Sequence, residues 1–187
     1  MSRTFIAIPV PSPVRNELAA CAAAMARGWP EGSVCWTPAD NIHLTLRFLG
    51  DTEPEQLSSL KDGLDGIGVG AGRFSLNLAG AGCFPDPRRP RVIWAGLGDS
   101  EERLPPLQRG VEKLAQGLGW PPEEREFRAH LTLGRVRQQK PVARPSPDWL
   151  VEPVSLLFAV DSVELIESRL HPTGARYRTL HQVELVS

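Results

Sequence analysis

Apolar and polar residues alternate with a period of two over much of this chain, and three stretches break into helical spacing instead. FIAIPV (5–10) reads as a first strand, limited by Pro9. Residues 12–28 open with Ser-Pro, continue alanine-rich and stop at Gly28, which predicts a helix with Ser12 as its N-cap. Residues 33–38 and 41–50 (NIHLTLRFLG) alternate as strands. In 51–68, an Asp-Thr start and Leu57, Leu60, Leu64 and Ile67 at helical spacing predict a second helix.

A similar order then returns. Residues 73–84 and 91–98 read as strands, 100–119 as a helix with Pro105 and Pro106 in its first turns, and 125–136 as a strand. A proline-rich loop follows at 138–149, then strands at 154–170 and 176–186. Helices interspersed with hairpin-like strand pairs predict the α+β class with antiparallel sheets. The repeated order predicts two pseudo-symmetric lobes, each an antiparallel sheet with flanking helices, and an active-site groove between them. Residues 1–187 then form a single bilobal domain.

Within that repeat, the tetrapeptide HLTL occurs at 43–46 and again at 130–133, 130 − 43 = 87 positions later. The chain holds 4 histidines and seven threonines in 187 residues. Random placement would therefore produce roughly 0.15 His-x-Thr matches, so two matches with identical leucines call for an explanation. In a strand, residues i and i+2 share a face. His43 and Thr45 point one way while Leu44 and Leu46 point into the core, and His130 and Thr132 stand in the same relation to Leu131 and Leu133.

Two imidazoles facing one groove suit proton transfer, one as base and one as acid. Two hydroxyls beside them can donate to the non-bridging oxygens of an anion. A phosphodiester with an intramolecular leaving group fits that set. Neither motif carries a further Asp, Glu or Cys at zinc-ligand spacing, so no metal and no cofactor are expected.

Composition narrows the setting. A formal net charge of −1 means that a polyanion must be met by a local basic patch rather than by the whole protein's field. Three cysteines without metal spacing read as reduced thiols, and MSRTFIAIPV lacks the pattern of a signal peptide, so the cytoplasm is the expected location. No apolar run approaches membrane-spanning length, and no membrane association is expected.

The paired motifs, with FIAIPVPSPVRNEL, WTPADNIHLTLRFLGDT, RVIWAGL, FRAHLTLGRV and LIESRLHPTGARYRTL, resemble the two-histidine phosphoesterases over nearly the whole chain. Within that superfamily the text is similar to the RNA 2′,3′-cyclic phosphodiesterases, also called 2′-5′ RNA ligases. It departs at Ala175, where the family has proline in a turn. The resemblance implies metal-independent hydrolysis of RNA 2′,3′-cyclic phosphate ends to 2′-phosphate ends, with a reversible 2′-5′ ligase activity as a further expectation. It also implies that His43 is the proton donor to the leaving 3′-oxygen and that His130 is the proton acceptor from water. The partner is then RNA with a 2′,3′-cyclic phosphate or 2′-phosphate end, with no obligate protein partner. Two alternatives stay open: action on a small cyclic nucleotide or ADP-ribose cyclic phosphate, and a non-catalytic module that binds RNA ends.

Alternation extends the His43–Thr45 face to Arg47, which is expected to reach phosphate. Arg135 joins His130 only if Gly134 allows a bulge, and is then a phosphate or base contact. Phe48 matches Arg135, each being five residues past its histidine, and offers a ring for base stacking. Arg88, Arg89 and Arg91 in PDPRRPRV could track an RNA backbone. Tyr177 sits between two arginines, while His171 and His181 lack a partner threonine and read as surface or structural residues.

Overall fold

The computed structural model describes residues 2–138, 145, 146, 148–171 and 174–186. The elements follow the alternation closely: β1 (Ser2–Pro9), α1 (Ser12–Ala26), β2 (Val34–Trp36), β3 (His43–Thr52), α2 (Pro54–Ala71), β4 (Phe74–Phe84), β5 (Val92–Gly98), α3 (Leu104–Gly117), β6 (His130–Val136), β7 (Leu157–Val160), β8 (Ser162–His171) and β9 (Gly174–Glu184). Most of the expected loop at 138–149 lies outside the described residues.

Boundaries differ where backbone chemistry overrides pattern. The cap of α1 is Pro11 rather than Ser12: the Arg15 N–H donates to the Pro11 carbonyl at 3.0 Å, so the first helical bond starts one residue earlier. Asp51 and Thr52 finish β3 instead of opening α2, which is capped by Glu53 with Gln56 in a capping box. α3 starts at Leu104, whose N–H donates to the Asp99 carboxylate at 2.8 Å. Pro105 and Pro106 then occupy the first turn, where a missing N–H costs little.

The stretch 154–170, expected as one strand, is two. β7 pairs with β4, whereas β8 pairs with β1 and β9. Alternation marks both as strands but does not name their neighbours.

All ladders are antiparallel, in the order β7-β4-β5-β6-β3-β1-β8-β9, with β2 added beside β6. The α+β class and the antiparallel pairing are as expected. The two halves, β7-β4-β5-β6 and β3-β1-β8-β9, meet at the motif strands through the pair Leu44↔Leu131, so they form one continuous sheet rather than two. Each half threads a helix between neighbouring strands, α1 from β1 towards β3 and α3 from β5 towards β6. α1 packs against β6 and α3 against β3, so each helix crosses beneath the other half's motif strand. Leu44, Leu46, Leu131 and Leu133 anchor this junction, each at most 3% exposed. Burying a leucine fully is worth about 1.5–3 kcal/mol, so four of them fix the central strands firmly.

Candidate active site

The two copies of HLTL run antiparallel and meet at their second residues, Leu44 and Leu131. Counting one residue outward in that register brings His43 opposite Thr132 and Thr45 opposite His130. A local two-fold axis through the leucine pair thus sets four polar side chains on one face, each histidine flanked by the other strand's threonine. Thr45 and His130 do line the same cavity.

Each imidazole is oriented by the backbone two residues ahead, just before its strand begins. His43 Nδ1 lies 2.8 Å from the Asn41 carbonyl, and His130 Nδ1 lies 2.7 Å from the Arg128 carbonyl. A carbonyl only accepts, so Nδ1 carries the hydrogen in both rings and Nε2 is left to act on substrate. Rings then fix the planes. Phe5 stacks on His43 at 4.6 Å between centroids and Tyr177 meets it edge-on at 5.3 Å, while Phe84 meets His130 edge-on at 5.2 Å. Phe5, Phe84 and the two carbonyl acceptors carried no signal in the sequence beyond strand character. Tyr177 was marked by its flanking arginines.

Beyond each motif the strand bulges. On β3 the register passes from Ala7↔Thr45 to Ile6↔Arg47, leaving Leu46 as the extra residue. On β6 it passes from Trp94↔Thr132 to Ile93↔Gly134, leaving Leu133. One extra residue exchanges the faces of everything that follows. Phe48 and Arg135 therefore rejoin the histidine face, and both are exposed. At Gly134 an added Cβ would stand 2.9 Å from Val34 and 3.0 Å from Trp36, so the position after this bulge has no room for a side chain.

Arg47, expected on the histidine face, is turned to the opposite side by the same kind of bulge. It is 6% exposed, its Nε is 3.0 Å from Glu112, its Nη1 donates to Glu123 at 2.8 Å, and its Nη2 donates to the Pro121 carbonyl. It ties β3 to α3 and the following loop, and these partners hold it at the border of the larger cavity.

Two cavities open on the site. Thr45, Phe48, Phe84, Arg128, His130 and Arg135 border one of about 620 Å³. His43, Arg15, Asp40, Glu164, Tyr177 and Thr179 border a smaller one of about 230 Å³. Arg88, Arg89 and Arg91 stand exposed on the β4–β5 hairpin loop next to the larger cavity. His181 pairs with Asp65 at 2.7 Å and His171 ends β8; neither belongs to the site. Among the described residues, no three His, Cys, Asp or Glu side chains converge as a metal site, and no helix is long and apolar enough to cross a membrane. Cys21, Cys35 and Cys83 are free thiols.

Burial pushes His43 down from the ordinary 6.5 to about 4; the bond to Asn41 opposes this, and the charges of Arg135 and His130 add to it. His43 is thus neutral at pH 7 in the free protein. Since the folded value lies below that of an exposed imidazole, acid favours the unfolded chain in this window. The contribution of neutral His43 to stability is complete above about 6.5 and is lost as pH falls towards about 4. NMR titration of the free protein should find the His43 ring changing charge near pH 4, and inorganic phosphate should raise that value. A ring titrating near 6.5 and indifferent to phosphate would refute the buried, cation-flanked setting.

The model of the family described as LigT like phosphoesterase matches residues 8–94 and 97–177. A protein of Aeropyrum pernix named RNA 2′,3′-cyclic phosphodiesterase is 33% identical over 154 residues, covering 79% of this chain and 84% of its own length. A protein of the same name from Thermotoga maritima is 32% identical over 189 residues, covering 97% and 95%. The solved structure of a Thermus thermophilus protein superimposes with a TM-score of 0.82 at 26% identity, covering 98% of this chain and 97% of its own. That of E. coli LigT complexed with 3′-AMP does so with a TM-score of 0.77 at 27% identity, covering 100% and 99%.

Proposed function

As this chain belongs to the LigT-like phosphoesterase family, we propose that it hydrolyses RNA 2′,3′-cyclic phosphate ends to 2′-phosphate ends without a metal ion. The observation that carries this reading is the two-fold arrangement about Leu44↔Leu131, with Nδ1 of each histidine bound to a carbonyl. A cyclic phosphodiester opens by in-line displacement, which needs a base on the attacking side and an acid on the leaving side. Two Nε2 atoms on one sheet face supply one of each.

His130 takes the proton of the attacking water, and His43 gives a proton to the departing 3′-oxygen. Thr45 and Thr132 donate to the non-bridging oxygens, where charge grows in the transition state. Arg135 faces the same site and offsets the phosphate charge, and Phe48 offers its ring to a base. His43 must be an imidazolium to act as donor, yet burial holds it neutral in the free protein. The bound diester resolves this, because its negative charge stabilises the imidazolium against Arg135 and the burial. Substrate therefore charges its own acid. The chain works as one bilobal domain in the cytoplasm, and its ligase activity is the same displacement with an RNA 5′-hydroxyl in place of water: the P–O3′ bond breaks, a 2′-5′ linkage forms, and attack by the freed 3′-hydroxyl reverses it.

The test is turnover of a short RNA ending in a 2′,3′-cyclic phosphate in the presence of EDTA, with identification of the product isomer. A 2′-phosphate formed at an undiminished rate is expected. Loss of turnover that zinc or magnesium restores would remove the metal-free mechanism, and a 3′-phosphate product would exchange the leaving group.

A further inference from the structure

We propose that the hairpin loop between β4 and β5, through Arg88 and Arg89 together with Arg137 just past the end of β6, holds the phosphodiester backbone of the RNA body behind the reacting end. This rests on the RNA reading above and goes beyond it by assigning which surface of the chain carries the polymer.

The loop is built for presentation. Residues 85–91, PDPRRPR, place three prolines and three arginines in seven positions. Pro87 follows Asp86 in a tight turn whose Arg89 N–H donates to the Asp86 carbonyl at 3.1 Å, with proline at its preferred second position. The Asp86 carboxylate accepts the Arg88 N–H at 2.8 Å, so the one acidic group of the loop serves the turn. The base is pinned on both sides: Arg91 N–H to Phe84 carbonyl at 2.7 Å, and Val136 N–H to Arg91 carbonyl at 2.9 Å. A stiffened loop loses little backbone freedom when its side chains engage a ligand.

Its position follows from those anchors. Phe84, at the root of the loop, touches the His130 ring, and Phe84 and Val92 both border the larger cavity. Arg137 directly follows Val136 and lies two residues beyond Arg135. Arg88, Arg89, Arg135 and Arg137 are all exposed, and among the described residues none makes an ion pair. By contrast, Arg47, Arg169 and Arg178 are each bound to carboxylates.

The other exit from the site is unsuited to a polyanion. Asp40 and Glu164 border the cavity beside His43 with Arg15, which lies 3.6 Å from Asp40, so acid outnumbers arginine there, whereas Glu123 and Glu126 at the larger cavity are outnumbered by Arg47, Arg125, Arg128 and Arg135. On a chain of net charge −1, free guanidinium groups gathered at one mouth supply the local field that a polyphosphate needs. The RNA body therefore leaves over the His130 half.

The experiment compares the wild type with Arg88→Ser/Arg89→Ser on two substrates, 2′,3′-cyclic AMP and a short single-stranded RNA with the same end, across a range of salt. Turnover of the mononucleotide by the wild type reports on the catalytic reading alone. For the variant, KM on the RNA should rise several-fold with kcat kept, and the mononucleotide should be unaffected. The slope of log(kcat/KM) against log salt on RNA should shrink by about 1.4, since each single-strand phosphate contact contributes about 0.7. Unchanged KM and slope on RNA would overturn the proposal, as would equal losses on both substrates, which would make the loop merely structural.

Discussion

His43→Ala and His130→Ala should each nearly abolish hydrolysis of an RNA 2′,3′-cyclic phosphate while leaving the fold intact. A positioned acid or base supplies about 10²- to 10⁴-fold, and losing either partner of a concerted displacement removes most of the joint benefit. The double variant should therefore be little slower than the slower single one. Both rings lie on the sheet face opposite the buried leucines and are themselves only partly buried, so truncation leaves the leucine junction in place. Roles separate on a substrate whose leaving oxygen is made a far better leaving group. It needs little protonation, so it should rescue His43→Ala and not His130→Ala. The reverse pattern would exchange the roles, an outcome that the neutrality of His43 in the free protein makes worth measuring. Natural-substrate activity at the wild-type level in either variant would end the two-histidine mechanism.

Arg47→Ala should lower stability by about 3 kcal/mol, read from the urea midpoint, because breaking a buried pair strands the partner's charge. Glu112 is only 16% exposed at its side chain and would keep a carboxylate without its cation. Converting both sides, Arg47→Met with Glu112→Leu, should recover most of that loss, as the carboxylate still left without its cation, Glu123, is 45% exposed and remains hydrated. Under conditions where the protein is folded, kcat/KM of Arg47→Ala should stay near wild type. A fully stable but inactive Arg47→Ala would instead put the guanidinium on the phosphate, where simple alternation had it.

That single arginine shows where reading the sequence stops. His43, Thr45, His130 and Thr132 were legible because residues two apart share a face whatever the strand's neighbours. Arg47 lies two residues further on and the same rule fails, because the bulge at Leu46 is a property of the pairing with β1 rather than of β3. At Arg135 the bulge was foreseeable, since Gly134 advertised a place without a side chain, and the register shift there puts Arg135 at the border of the larger cavity.

Local chemistry by itself determined the α+β class, the strand and helix order, the repeated motif and the residues able to move protons. Those depend on periodicity and side-chain type, which are short-range. Tertiary pairing decided the rest. It set Leu44 opposite Leu131, joining the halves into one sheet and bringing residues 87 positions apart into a two-fold site. It placed Phe5 and Tyr177 on His43 and buried that ring until its charge became costly. It divided 154–170 between two partners and gave Arg47 to Glu112. Each of these is a contact between segments distant in the chain, and nothing in a strand's own alternation specifies which segment will lie beside it.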